Sequence, residues 1–259
     1  MRVLTWNLWW RSEPRAEREV AIDATLRRLS PDVCALQEVW NTAGEGNLAA
    51  RLAAALDMHW AFGLVQRQGE LEIGNAILSR WPLAAEAAAD LPSEGLADGP
   101  RTALAATVDH PEGRLPVFST QLHSHPTGSA ARCRQVAALA QLVARTPGDL
   151  LPVVCADLNA EPDSDEVRLL EGLRTAPAVP GLGLVDVWRY APAGEPGWTW
   201  DPINPHVATA FDVSARIDYI LIGAAPGPRR VSRVEVAANE PVDGVWPSDH
   251  FAVLADLSL

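Results

Sequence analysis

Leu151-Pro152-Val153-Val154-Cys155-Ala156-Asp157-Leu158-Asn159 joins a strand-like apolar run to two polar residues. An apolar, β-branched run over 151–156 reads as a strand, and it stops on a carboxylate and an amide two positions apart. If the strand continues through them, Asp157 and Asn159 point to the same side. The alternative is an ordinary strand-to-helix turn, where both residue types are also at home. The same punctuation recurs along the chain. Thr5-Trp6-Asn7 follows Arg2-Val3-Leu4, Gln37-Glu38 follows Val33-Cys34-Ala35-Leu36, and Ser248-Asp249-His250 stands close to the C-terminus. A chain that repeatedly runs apolar and then stops on a polar group builds one site from many strand ends.

Around these points the pattern predicts strands over 2–9, 32–37, 59–66, 73–79, 101–109, 114–122, 216–222, 230–237 and 250–257. It predicts helices over 14–29, 45–56, 128–145 and 163–171. Pro14 suits a first helical turn, Ile22, Leu26 and Leu29 recur at helical spacing, and Pro31 closes that helix. Residues 174–212, rich in Pro and Gly and carrying Trp188, Trp198 and Trp200, read as loops over the strand ends. Strands outnumber helices, which favours two packed sheets flanked by helices over one doubly wound sheet. There is no repeat or linker, and the polar constellations come from both halves of the chain, so residues 1–259 read as one domain.

Composition narrows the function. With 48% hydrophobic residues among 259, the chain has material for a sizeable core. A net charge of -12, with 21 basic residues that are all arginine, argues against strong non-specific binding to nucleic acid. Met1 to Trp6 enter a strand at once, leaving no room for a signal peptide, and no apolar run is long enough to cross a bilayer. Cys34, Cys133 and Cys155 are odd in number and far apart, and they read as reduced core residues of a cytoplasmic protein.

Glu38, ending an apolar strand, is either a solvated strand end or a metal ligand. Magnesium takes oxygen ligands and only one or two protein carboxylates. Asn7 follows the same logic, as an orienting amide or a coordinating oxygen. Asp218, embedded in Arg216-Ile217-Asp218-Tyr219-Ile220, is too costly to bury unpaired. It is the best partner to orient His250, a pairing that suits acid–base work near neutral pH. His123 and His125 lack a third ligand for zinc, so His123 reads as a phosphate-contacting imidazole and His125 as a loop residue. Arg101, after Gly99-Pro100, is either a solvated arginine or a clamp for a phosphate oxygen. P-loop, Gly-x-Gly-x-x-Gly and Gly-x-Ser-x-Gly motifs are missing.

Taken in order, Trp6-Asn7, Gln37-Glu38, Asp157-Leu158-Asn159, Arg216-Ile217-Asp218-Tyr219-Ile220 and Ser248-Asp249-His250 resemble the endonuclease/exonuclease/phosphatase superfamily over nearly the whole chain. The resemblance implies an α/β fold of deoxyribonuclease-I-like type: a four-layered α/β/β/α sandwich with two packed mixed β-sheets. It implies Mg²⁺ or Mn²⁺ held by Glu38, with Asn7 and Asp249. Asp157 would align the water, Asn159 would hold the phosphate, Asp218 would pair with His250, and Arg101 would match a phosphate-contacting arginine. Either Asp157 or His250 would accept the proton from water. Many members carry Thr-His-Leu where this chain has Thr120-Gln121-Leu122, and His123, sharing a strand face with Gln121, is expected to fill that role. Gly197-Trp198-Thr199-Trp200-Asp201 with Asn204 resembles a loop of the tyrosyl-DNA-phosphodiesterase-like branch, which makes Trp198, Trp200 and Asn204 substrate-binding candidates.

The expected function is a metal-dependent phosphoester hydrolase, a monomeric phosphodiesterase or phosphatase on a small or lipid-like substrate. The first rival is a DNA endonuclease or end-processing enzyme. The rival of another class is a non-catalytic binding scaffold, against which the full set of costly polar residues speaks.

Overall fold

The computed structural model describes residues 1–96, 98–208, 213–226 and 230–259; of the stretch read as loops, 209–212 lie outside the described residues. Two sheets form its centre. The first runs in the order β12 (Val231–Ala237), β13 (Ala252–Leu257), β1 (Arg2–Asn7), β2 (Val33–Thr42), β5 (Leu71–Ser79) and β4 (His59–Gln68), with β3 (Gly46–Asn47) attached to β2. The second runs β10 (Leu184–Asp186), β11 (Asp218–Gly223), β9 (Val153–Asp157), β8 (Gly113–Gln121), β7 (Arg101–His110) and β6 (Leu83–Leu91). Both sheets are mixed: β1 with β2 and β8 with β9 are parallel, and their other neighbours are antiparallel.

Alternation along the strands sorts residues into three apolar layers. Val3, Val33, Ala35, Val117, Val153, Cys155 and Ile220 face one another between the sheets. Leu4, Trp6, Cys34 and Leu36 face outward under α1 (Arg15–Leu29) and α2 (Leu48–Leu56), which supply Ile22, Leu26, Leu48 and Leu52. Phe118, Val154, Ala156 and Leu221 face the other way, under α3 (Ser129–Arg145) and α4 (Asp165–Glu171), which supply Val136, Leu139, Val167 and Leu170. Helix, sheet, sheet and helix therefore stack as four layers. A sheet with two buried faces needs near-continuous apolar strands, which is why these runs look so uniform in sequence. Each fully buried Leu, Ile or Phe contributes about 1.5–3 kcal/mol, so the three layers dominate the stability of the fold.

Helix α1 stops where expected. Ser30 takes a left-handed conformation, its N–H bonds the carbonyl of Leu26, and Pro31 follows. Three strands had no counterpart in the expectations: the two-residue β3, at the start of the stretch expected to be the helix 45–56, with β6 and β10. β6 is alanine-rich and acidic, a composition with little strand preference, yet it pairs along β7 at the edge of the second sheet. β10 arises inside the stretch read as loops, and residues 187–190 and Pro205–Ala208 add short helical turns there. Among the described residues, no helix is long and apolar enough to cross a membrane. Cys34, Cys133 and Cys155 are free thiols, the first and last buried.

Candidate functional site

The inward-facing column of each central strand ends in a polar residue at the same edge of the gap between the sheets. In the second sheet Asp218, Asp157 and Gln121 stand side by side, register partners across β11, β9 and β8. In the first sheet Asn7 is the register partner of Gln37. Beneath the rim, Gln37 Nε2 donates to Ser119 Oγ at 3.1 Å and Thr5 Oγ1 at 3.3 Å, so a short polar strip underlies the site.

Glu38 escapes the alternation through a bulge. Leu36 and Val39 both pack on the helix side although they are three apart, and the register against β5 shifts between them. Glu38 takes φ 55 at that irregularity, a conformation that costs a non-glycine residue energy and is tolerated where the geometry serves a site. Its Oε1 accepts from Asn7 Nδ2 at 3.0 Å and from Gln121 Nε2 at 2.7 Å. Both amides also donate to Asp157 Oδ2, at 3.0 and 3.1 Å. Two amides, one from each sheet, thus hold two carboxylates together.

Asp157 is fully buried, and its Oδ1 accepts the N–H of Asn159 at 3.0 Å. Asn159 adopts φ 48, which asparagine tolerates, and donates one amide hydrogen to the Leu122 carbonyl at 3.1 Å. Burial raises the Asp157 pKa, and Asp218 alongside raises it further against the opposing pull of His250, Asn7 and the Asn159 N–H. Asp218 Oδ2 lies 3.0 Å from His250 Nδ1, while Asp218 Oδ1 is buried without a partner among the described residues. Burial alone would lower the His250 pKa, but Asp218, Asp157 and Asp249 outweigh it and hold the imidazole well above its ordinary value. Candidate ligand atoms of Asp157, Asp218 and His250 lie within 4.8 Å of one another.

The Ser248-Asp249-His250 segment is fixed by contacts from afar. Ser248 Oγ donates to the Asn7 carbonyl at 2.7 Å, and Trp6 Nε1 donates to the His250 carbonyl at 3.0 Å. Burial pushes Asp249 up to about 7, with Glu38 and Asp157 adding to the rise and His250 and Arg18 opposing it. Arg18, fully buried, reaches the carbonyls of Leu8, Trp10, Ser12 and Pro247 and so ties the loop after Asn7 to the residue before Ser248. Burial lowers its pKa to about 10, so it remains charged at neutral pH.

Three expected roles need correction. β8 ends at Gln121, and the His123 ring turns away to pair with Asp98 through Nδ1. His123 does not stand in for the missing imidazole, because Gln121 itself reaches Glu38 and Asp157. Arg101 is no free clamp. Its guanidinium donates to Leu122 O, Asp98 O, Pro100 O and Asp98 Oδ2, at 3.1, 2.9, 3.0 and 2.7 Å. Asn204 is fully buried and donates to the carbonyls of Ser248 at 2.8 Å and Asp249 at 3.4 Å, so it faces the backbone of the site rather than a ligand. Trp200 stands edge-on to the His250 ring at 5.0 Å, whereas Trp198 is 46% exposed. Arg18 escaped sequence reasoning, since a helical arginine reads as solvated. Gln121 was visible only as the place where an imidazole was expected.

Comparison with known proteins identifies the family and the fold. The sequence model of the Endonuclease/Exonuclease/phosphatase family matches residues 4–250. An endonuclease/exonuclease/phosphatase from Beutenbergia cavernae DSM 12333 is 27% identical with a TM-score of 0.74, covering 100% of this chain and 71% of that one. D. rerio TDP2 complexed with a single-strand DNA product is 20% identical with a TM-score of 0.80, covering 100% and 99%. The human Nocturnin catalytic domain with bound sulfate anion is 19% identical with a TM-score of 0.74, covering 100% and 94%; these last two share the fold. No curated protein matches the sequence. The match from Leu4 to His250 takes in every polar strand end described above, and the chain belongs to the endonuclease/exonuclease/phosphatase family of phosphoester hydrolases.

Proposed function

We propose that this protein hydrolyses a small or lipid-like phosphoester with the help of Mg²⁺ or Mn²⁺. The observation that carries the reading is the convergence of Asn7, Glu38, Gln121, Asp157, Asp218 and His250 at one edge of the inter-sheet gap. The donor set fits a hard divalent cation. Glu38 and Asp249 offer carboxylate oxygens, and burial, with the neighbouring Glu38 adding to it, holds Asp249 near 7. Glu38 and Asp249 are the residues that would hold the ion, and Asn7 Oδ1, which accepts the Trp9 N–H at 2.9 Å, has a second lone pair to offer it. The cation supplies charge neutralisation at the phosphate oxygens.

The remaining roles belong to the chain itself. Asp157, whose raised pKa makes its carboxylate a stronger base, takes the proton from the attacking water. Asn7 and Gln121 orient that carboxylate through Oδ2. His250, kept protonated by the surrounding acids, directs Nε2 at a phosphate oxygen and stabilises charge developing in line. Asp218 fixes the ring by accepting from Nδ1. Asn159 has a second amide hydrogen beyond the one given to Leu122, available to the phosphate.

A small substrate is favoured by charge. The chain carries -12, and Arg18 and Arg101 beside the site are both engaged with backbone carbonyls rather than offered to a polyanion. A DNA end-processing reading is favoured by one feature, the Trp200 ring against His250, a surface on which a base could stack. It also draws on the DNA product held by the TDP2 relative. Hydrolysis of bis-p-nitrophenyl phosphate, p-nitrophenyl phosphate, single-strand oligonucleotides and supercoiled plasmid, with Mn²⁺ and with chelator, separates the two. Chelator-sensitive turnover of the small esters with negligible DNA cleavage is expected. Efficient cleavage of DNA at low enzyme concentration would replace this reading with the second.

A further inference from the structure

The Asp218–His250 pair joins residues from different sheets. Asp218 opens β11 in the second sheet, and His250 lies two residues before β13 in the first. Packed sheets meet through side chains, without a hydrogen-bond ladder between them, so nothing in the strands themselves fixes this pair to hydrogen-bond tolerance. One buried residue from the loop before β11 touches both halves.

Thr199 has no exposed surface. Its Oγ1 accepts the N–H of Ile217 at 3.1 Å and of Asp218 at 3.2 Å. Its carbonyl accepts the N–H of Phe251, next to His250, at 2.7 Å, and its own N–H donates to Ala215 O at 3.0 Å. The backbone before it is equally constrained. Gly197 has φ +72, and a Cβ there would fall 2.3 Å from the Trp188 ring and 2.8 Å from Arg216 Cδ, so only glycine lets the loop pass this close.

We propose that Thr199 is a positioning residue for the reaction, with its hydroxyl oxygen fixing Asp218 while its carbonyl fixes the His250–Phe251 backbone. This rests on the reading of Asp218 and His250 as the catalytic pair. Valine has the same shape but cannot accept a hydrogen bond, so Thr199→Val frees the Ile217 and Asp218 N–H groups and lets the carboxylate drift from Nδ1. Misplacement of a catalytic group by about 1 Å can cost about 10²-fold in rate.

The test is steady-state hydrolysis of bis-p-nitrophenyl phosphate with Mn²⁺, alongside circular dichroism and thermal melts. Thr199→Val is expected to lower kcat about 10–100-fold with KM changed less than about threefold, and Thr199→Ser to restore most of kcat. In an Asp218→Asn background, Thr199→Val is expected to add almost nothing, because both changes act on the same pair. A purely structural role predicts additive losses instead, and additivity overturns the proposal. So does a kcat for Thr199→Val within threefold of wild type. If the valine variant does not fold, Thr199→Ala, which leaves room for a replacing water, takes its place and is expected to have a kcat below that of Thr199→Ser; wild-type turnover in it overturns the proposal. If Asp218→Asn alone keeps full turnover, the catalytic-pair reading fails. The downfield proton resonance of His250 Nδ1 then decides: its shift on Thr199→Val upholds the positioning role, and an unchanged resonance overturns it.

Discussion

Gln121 donates through Nε2 to Glu38 Oε1 at 2.7 Å, so an amide from the second sheet closes directly on a carboxylate from the first. The same nitrogen reaches Asp157 Oδ2 at 3.1 Å. An amide has no charge to lose or gain, so the donor of this clamp does not titrate, unlike the imidazole expected at that place. Gln121→Ala is predicted to lower kcat about tenfold. Gln121→Glu, which sets a third acid against two others, is predicted to lower it further. Steady-state kinetics check both, and wild-type turnover in Gln121→Glu would remove Gln121 from the site.

Glu38 and Asp249 carry the proposed cation. Glu38→Gln or Asp249→Asn keeps the shape and removes a charged oxygen ligand, so each is predicted to weaken Mn²⁺ binding at least about tenfold. Calorimetric titration of the folded variants measures it. Unchanged affinity in both would place the ion elsewhere, with the Asp157, Asp218 and His250 cluster the next position to test.

Stability should fall as pH rises in metal-free protein. Asp249 titrates near 7 when folded, against an ordinary value of 3.8, so the folded state binds the proton more tightly and loses stability as pH climbs from about 4 to about 7. His250 is also raised when folded, so its stabilisation is complete below about 6.5 and is lost as pH rises through its folded value. A cation displaces the Asp249 proton. The gain in melting temperature on adding Mn²⁺ is therefore predicted to be larger at pH 8 than at pH 6, and Asp249→Asn to flatten the acid-side slope. Thermal melts across pH check this, and a gain independent of pH would contradict it.

Asn204 and Trp198 come from the same loop but should behave oppositely. Loss of the Asn204 carboxamide leaves buried carbonyls of Ser248 and Asp249 unsatisfied, and Asn204→Ala is predicted to cost about 1–3 kcal/mol of stability together with turnover. Trp198 is partly exposed, and Trp198→Ala is predicted to change stability by less than about 0.5 kcal/mol. Denaturant unfolding of the two variants distinguishes them.

The limits of sequence reading are physical and fall at particular residues. β6, Leu83–Leu91, carries no strand signal of its own, and pairing with β7 imposes its conformation, a case of tertiary context overriding propensity. His123 illustrates a second limit. Gln121 and His123 share a face only while the strand lasts; it ends at Gln121, and the loop bearing Asp98 then captures the imidazole.

Local sequence sufficed to place Asn7 and Asp157 at the ends of buried apolar runs and Asp218 within another, because alternation and apolar runs are local properties that fix which way a side chain points. It also determined the layered fold, since only two doubly covered sheets bury so many apolar strands. Which polar groups meet was set by the folding of distant segments onto one another: Gln121 joins Glu38, Arg101 is taken by carbonyls, and Asn204 serves the backbone of Ser248 and Asp249. Hydrogen bonds are short-ranged and directional, so partners far apart in the chain are chosen by the sheet register and the path of the loops, which no local pattern encodes.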